Sequence, residues 1–223
     1  MKQTVNVLKS QLLLFLKTSV FGILLFIVSV SSFRLIPVLF FILISFMLYS
    51  RPLFAGPYNS RYAFLVLLCV SILGMKIMAG SLLFFPGLFL FSFIFYLILG
   101  IKEIFFVKRS RIYYVAALLL FYTLFVIFFL ADKSSFYLLK YSGIVIASFF
   151  LFREWLSIIP SFHFPKRETV AAAVAALIGA QFLWAIALLP IGFISSANLM
   201  ILLVFTMADF LLKHFTGGIS KEF

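Results

Sequence analysis

Arg153, Glu154, Trp155, His163, Lys166, Arg167 and Glu168 form the densest group of ionisable and anchoring side chains in the chain. Basic groups in such a run can grip a phosphate headgroup, and a carboxylate with an imidazole can supply an acid and a base. On that reading Arg153, Glu154, His163 and Lys166 would be the catalytic set of an enzyme acting on a lipid or lipid-linked substrate at the cytoplasmic interface. The spacing lends it little support. There is no H-E-x-x-H, no aspartate-rich diphosphate motif, no Gly-rich phosphate loop and no serine elbow. The competing reading is an interfacial loop, with Trp155 at headgroup level and ordinary flanking charge. The sequence favours the loop.

A second place for chemistry is Gln181, twelve residues past Thr169 in the run TVAAAVAALIGAQFLWAIALLP. At about 1.5 Å per helical residue that is about 18 Å, near the middle of a roughly 30 Å hydrocarbon core. An amide at that depth needs a hydrogen-bond partner. An interhelical bond of about 1 kcal/mol would satisfy it, and so would a substrate or water cavity beside Trp184, one turn on. Asp209 and Lys213 have the four-residue spacing of an ion pair on one helix face. Asp209 is close enough to the span end to ionise cheaply, so a structural pair is favoured over a proton relay. Gln181, Trp184 and Asp209 are the candidate substrate or cavity residues. No cofactor and no metal are expected, because only two histidines are present and no cluster of carboxylates or thiols accompanies them.

These residues must be held by a membrane scaffold. The chain has 223 residues, 65% hydrophobic and 11% charged, whereas about a quarter of the residues in soluble domains are charged. Apolar runs separated by short charged segments recur from end to end, which predicts an all-α integral membrane protein in one transmembrane domain over 1–223. The net charge of +12 comes from basic residues scattered singly or in small groups beside the spans. They fit anionic headgroups at cytoplasmic loops and not nucleic acid. The lone cysteine, Cys69, falls inside an apolar run and is assigned to packing.

The apolar runs predict about eight transmembrane helices, with a range of six to eight, over 12–30, 35–49, 62–79, 84–100, 112–131, 135–152, 169–190 and 197–213. An amphipathic segment precedes the first, and Lys17 lies within snorkelling reach of its polar edge. The two spans within 62–100 are short, and the division there is the least secure. With eight spans, fourteen Lys and Arg residues fall on the side of the termini and four, Arg34, Lys76, Lys133 and Lys140, on the other. The positive-inside rule then places both termini in the cytoplasm.

Ala172, Ala176 and Ala180 form one four-residue row of small side chains, and Ala171, Ala175 and Gly179 another. Such rows let helix backbones approach in lipid. The hairpin from Thr169 to Lys213 is therefore the expected packed centre. Ser31-Ser32-Phe33 recurs as Ser134-Ser135-Phe136 and Arg51 as Arg153, which is compatible with a weak 4+4 parallel repeat, although for so few matches coincidence is the favoured reading. The favoured function is a non-enzymatic transporter-like bundle or a component dependent on a membrane-protein partner or a second copy. A lipid-processing enzyme and a purely structural protein are the alternatives.

Overall fold

The computed structural model describes residues 2–50, 60–102, 109–131, 137–157 and 165–215. Eight α-helices follow one another: α1 Lys2–Val30, α2 Leu35–Ser50, α3 Arg61–Met78, α4 Phe84–Lys102, α5 Arg109–Leu130, α6 Tyr137–Ser157, α7 Pro165–Ala187 and α8 Phe193–Phe215. Among the described residues there is no strand. A helix satisfies all of its interior backbone hydrogen bonds within itself, so long apolar runs take this form in lipid. Stretches of α1, α3, α4, α5, α7 and α8 are long and apolar enough to cross a membrane, and the chain is an integral membrane protein by that criterion.

The other two helices are apolar but fall short for separate reasons. α2 has 16 residues, about 24 Å at 1.5 Å each. α6 has 21 residues, but Lys140, Arg153 and Glu154 interrupt it. The stretch from 62 to 100 resolves into two helices of 18 and 19 residues, each long enough for a span. The turn between them holds Gly80 at φ 78°. Its Ser81 hydroxyl donates to the carbonyl of Met78 at 2.8 Å.

The helix limits depart from the expected spans in informative places. α1 is continuous from Lys2, so the amphipathic lead-in and the first span are one helix. α6 runs on to Ser157 and takes Arg153, Glu154 and Trp155 out of the expected loop. α7 starts at Pro165 instead of Thr169, because proline is well tolerated where a helix begins. Glu168 in its first turn complements the helix dipole.

The chain divides into two compact units, Met1–Ala116 and Ala117–Phe223, with the boundary inside α5. In the first unit α1 packs on α4, α2 and α3, and α3 packs on α4. The inward stripe of α1 is Leu14, Lys17, Phe21, Leu25 and Val28, all buried, at the three- and four-residue spacing of one helix face. Aromatic rings fill the middle. Phe21 stacks on Phe95 with centroids 4.3 Å apart and meets Phe41 at 5.2 Å. Phe95 in turn touches Phe64 at 6.2 Å. A Cβ added at Gly22 would lie 2.7 Å from the Ser92 hydroxyl, and one at Gly87 would lie 2.7 Å from the Met78 sulfur.

In the second unit α7 packs most extensively on α6 and less on α8. The Tyr141 hydroxyl on α6 donates to the Ala180 carbonyl on α7 at 2.6 Å. Phe121 on α5 meets Phe152 on α6 at 4.9 Å.

The α7–α8 hairpin is thus not the packed centre expected from its small residues. Only 33% of the apolar window in α7 and 28% of that in α8 is buried, against 56% in α3. Ala172, Ala175, Ala176 and Ala180 are buried, in a helix whose main partner is α6. Gly179 brings no backbone close, since a Cβ placed there would meet nothing within 4 Å.

Candidate functional site

The face of α7 opposite its buried alanines carries the amide. Val170, Val174, Leu177, Gln181 and Trp184 follow one another at four- and three-residue intervals, and all five are exposed. That spacing keeps them on one stripe of a helix. Trp184 retains 58% of its surface. Among the described residues the Gln181 carboxamide has no hydrogen-bond partner.

A cavity in the second unit is separate from this stripe. It lies between α5, α6, α7 and α8, against Phe125, Ser148, Phe152, Gly179, Ala180 and Met200. Its volume is about 10 Å³, room for no more than one water. Gln181, Trp184 and Asp209 are not among its lining residues. Asp209 pairs with Lys213 at 2.9 Å on the exposed side of α8. The three candidate cavity residues therefore sit on outer helix faces and do not converge on a described cavity.

The basic and acidic set is partly rearranged. Arg153 is half-buried and Glu154 is 3% exposed, both in the last turns of α6. Trp155 beside them is buried at 5% exposure, which replaces the expected interfacial anchor with a packed indole. The cause is the extra helical turn of α6, in which the consecutive residues Glu154, Trp155 and Leu156 are all buried. Lys166 is exposed near the start of α7, and His163 lies outside the described residues. No group of three metal-ligating side chains occurs among the described residues.

A second polar cluster, at one end of the first unit, was not evident from spacing. The Lys102 ammonium lies over the Tyr49 ring, 3.8 Å from its centroid, and donates to the Tyr49 backbone carbonyl. Tyr49 stacks on Phe64 at 4.1 Å with the rings 6° from parallel. Its hydroxyl pairs with the Ser60 hydroxyl at 3.3 Å, and Ser60, just before α3, makes no side-chain cap to its own helix. Lys17 is 8% exposed on the inward stripe of α1. One signal could have shown it: Lys17 continues the Leu14, Phe21, Leu25 periodicity. The Tyr49–Lys102 contact joins residues 53 apart in sequence, and no local pattern announces it.

Chemically, the exposed α7 stripe can offer a donor and an acceptor to another helix, and the cationic end of the first unit can offer charge to an anion. Cys69, expected to pack, is exposed on α3. No family model, no curated protein and no solved structure matches this chain.

Proposed function

We propose that the chain is a non-enzymatic multi-pass component of the cytoplasmic membrane that works through another membrane-spanning chain, with the outer stripe of α7 as the contact face. The observation that carries this reading is Gln181, an exposed amide without a described partner in the last two turns of the apolar helix α7. In hydrocarbon such a group is satisfied by hydrogen bonding across a helix pair. The partner is a second copy or a different membrane protein, and in a transporter-like assembly the same amide and Trp184 would border the path.

The accompanying topology has eight spans and both termini in the cytoplasm, supported by the excess of basic residues on that side. α2 crosses as a short helix, which local thinning of the bilayer accommodates. A 4+4 duplication draws support from the division of the chain near its midpoint. The unlike hubs, α1 in one unit and α7 in the other, mean that any duplicated halves have diverged in packing. A lipid-processing enzyme remains the second reading, favoured by one observation, the buried Glu154. It requires His163 to reach that carboxylate.

The test uses the full chain in nanodiscs or mild detergent, with association followed by native mass spectrometry and in-membrane energy transfer. Gln181→Leu should weaken association by roughly fivefold, the equivalent of a hydrogen bond of about 1 kcal/mol. Association unchanged by the substitution would overturn the reading. Reporter fusions at both ends test the topology, and an external C-terminus would refute eight spans.

A further inference from the structure

A seven-residue period runs along the exposed face of α7. Val170, Val174, Leu177, Gln181 and Trp184 are separated by four, three, four and three residues, and exposed Leu188, just past the helix end, follows after four more. A straight helix has 3.6 residues per turn, so a strict seven-residue series stays against a companion helix only where the two wind around each other with a left-handed crossing. Contact with acyl chains alone imposes no period. In such a seam Val174 and Gln181 hold the a positions, and Leu177 and Trp184 the d positions. A β-branched residue at a with leucine at d suits a pair of helices, and one polar residue at a fixes the register of the pair. Ala185, exposed one turn beyond Gln181, leaves room for the backbones to approach.

The polar chemistry of the seam selects its occupant. Every copy of the chain inserts with the same orientation, because the same distribution of charge directs it. The α7 helices of two copies are therefore parallel, and about a two-fold axis along the membrane normal each seam residue meets its own counterpart. Valine, leucine and tryptophan meet their likes as apolar surface. Gln181 meets a second Gln181, and the carboxamide is self-complementary, since the N–H of each can donate to the carbonyl of the other. A foreign helix would need an amide or its equivalent at this one level among otherwise apolar residues, whereas a second copy has it by construction. Exposed Arg167 precedes the seam near the start of α7, where water and anionic headgroups screen it from its counterpart.

We infer that α7 is the two-fold interface of a parallel homodimer, in which the Gln181 side chains of the two copies hydrogen-bond across the axis and Val174, Leu177 and Trp184 pack on either side. The inference rests on the reading of this stripe as a contact face and adds the identity of the partner.

Two measurements on the full chain test it. In a Cys69→Ser background, which removes the exposed native thiol, single cysteines along α7 are oxidised in the native membrane with copper phenanthroline. Val174→Cys and Leu177→Cys should each give a disulfide-linked product of double the chain's mass, whereas Phe182→Cys, exposed but off the seam, should not. The purified chain in nanodiscs should be dimeric by native mass spectrometry. Gln181→Leu should weaken that dimer about fivefold, and Gln181→Asn, which keeps an amide, should stay closer to the parent. A monomeric purified chain whose seam cysteines cross-link in the membrane to a chain of different mass would overturn the homodimer and leave the contact face standing. A monomer with no cross-link at the seam positions would overturn both. Equal cross-linking at Val174, Leu177 and Phe182 would overturn the seam as the interface.

Discussion

Gly22 on α1 and Ser92 on α4 face each other so closely that a Cβ added to Gly22 would lie 2.7 Å from the Ser92 Oγ. That hydroxyl also donates to the Leu88 carbonyl at 2.9 Å, so a rotation to make room would break an existing bond. Gly22→Ala should therefore be near neutral, its gain of about 1 kcal/mol in helix propensity offset by the displaced serine. Gly22→Leu should destabilise by at least about 1–3 kcal/mol through overpacking. The pair Gly22→Ala with Ser92→Ala should be more stable than either single variant predicts, with a coupling of about 0.5–1 kcal/mol. Thermal unfolding of the four proteins in one detergent measures this directly, and strict additivity would mean that the two helices are further apart.

Removing the Tyr49 hydroxyl should cost about 1 kcal/mol, since Tyr49→Phe loses the contact with Ser60. Lys102→Met removes the cation from the ring and should cost about 0.5–2 kcal/mol. Tyr49→Leu should cost more than either, because the stack on Phe64 goes with it. The order of the three melting temperatures is the readout.

Gly179 behaves as the opposite of Gly22. Nothing lies within 4 Å of a Cβ built there, and the residue borders the cavity of the second unit. Gly179→Ala should stabilise by roughly 0.5–1 kcal/mol, from helix propensity and partial filling of the void. A destabilised variant would place α6 or α8 against this position.

Asp209 and Lys213 are 52% and 64% exposed, and an exposed pair one helical turn apart contributes about 0.3–0.5 kcal/mol. Asp209→Asn should shift stability by no more than that. Retention of partner association in this variant, beside its weakening in Gln181→Leu, would separate the amide from the acid as functional groups.

Secondary structure was the legible part of this fold. Long apolar runs punctuated by charge or by Gly, Pro and Ser turns mark where helices begin and end, and the chain obeys them to within a few residues over most of its length. The failures have a common cause. Arg153, Glu154 and Trp155 look like loop residues because two of them are charged, yet the α6 backbone continues through them. Charge at a helix end is cheap near headgroups, so it does not stop the helix. The small-residue rows of α7 were legible as a packing face, but which helix they meet is a tertiary fact, and it is α6. The tight contact of α1 with Ser92 depends on a single glycine, a signal too slight to stand out against the longer rows of α7. Gln181 could be placed on this helix from sequence, but not in rotation about the helix axis relative to neighbours. The Tyr49–Lys102 contact needed the fold itself.

The bond from Tyr141 to the Ala180 carbonyl also bears on how the protein is made. Between Lys140 and Arg153, α6 offers only twelve uncharged residues, from Tyr141 to Phe152, fewer than the 17 or so that partition into a bilayer unaided. Its most extensive packing is with α7, which is apolar enough to enter alone. The chain leaving the insertion machinery would therefore have to hold α6 back until α7 emerges, so that the two enter as a hairpin. If α6 crosses the bilayer, the alanine face of α7 is then also the surface that would carry it in.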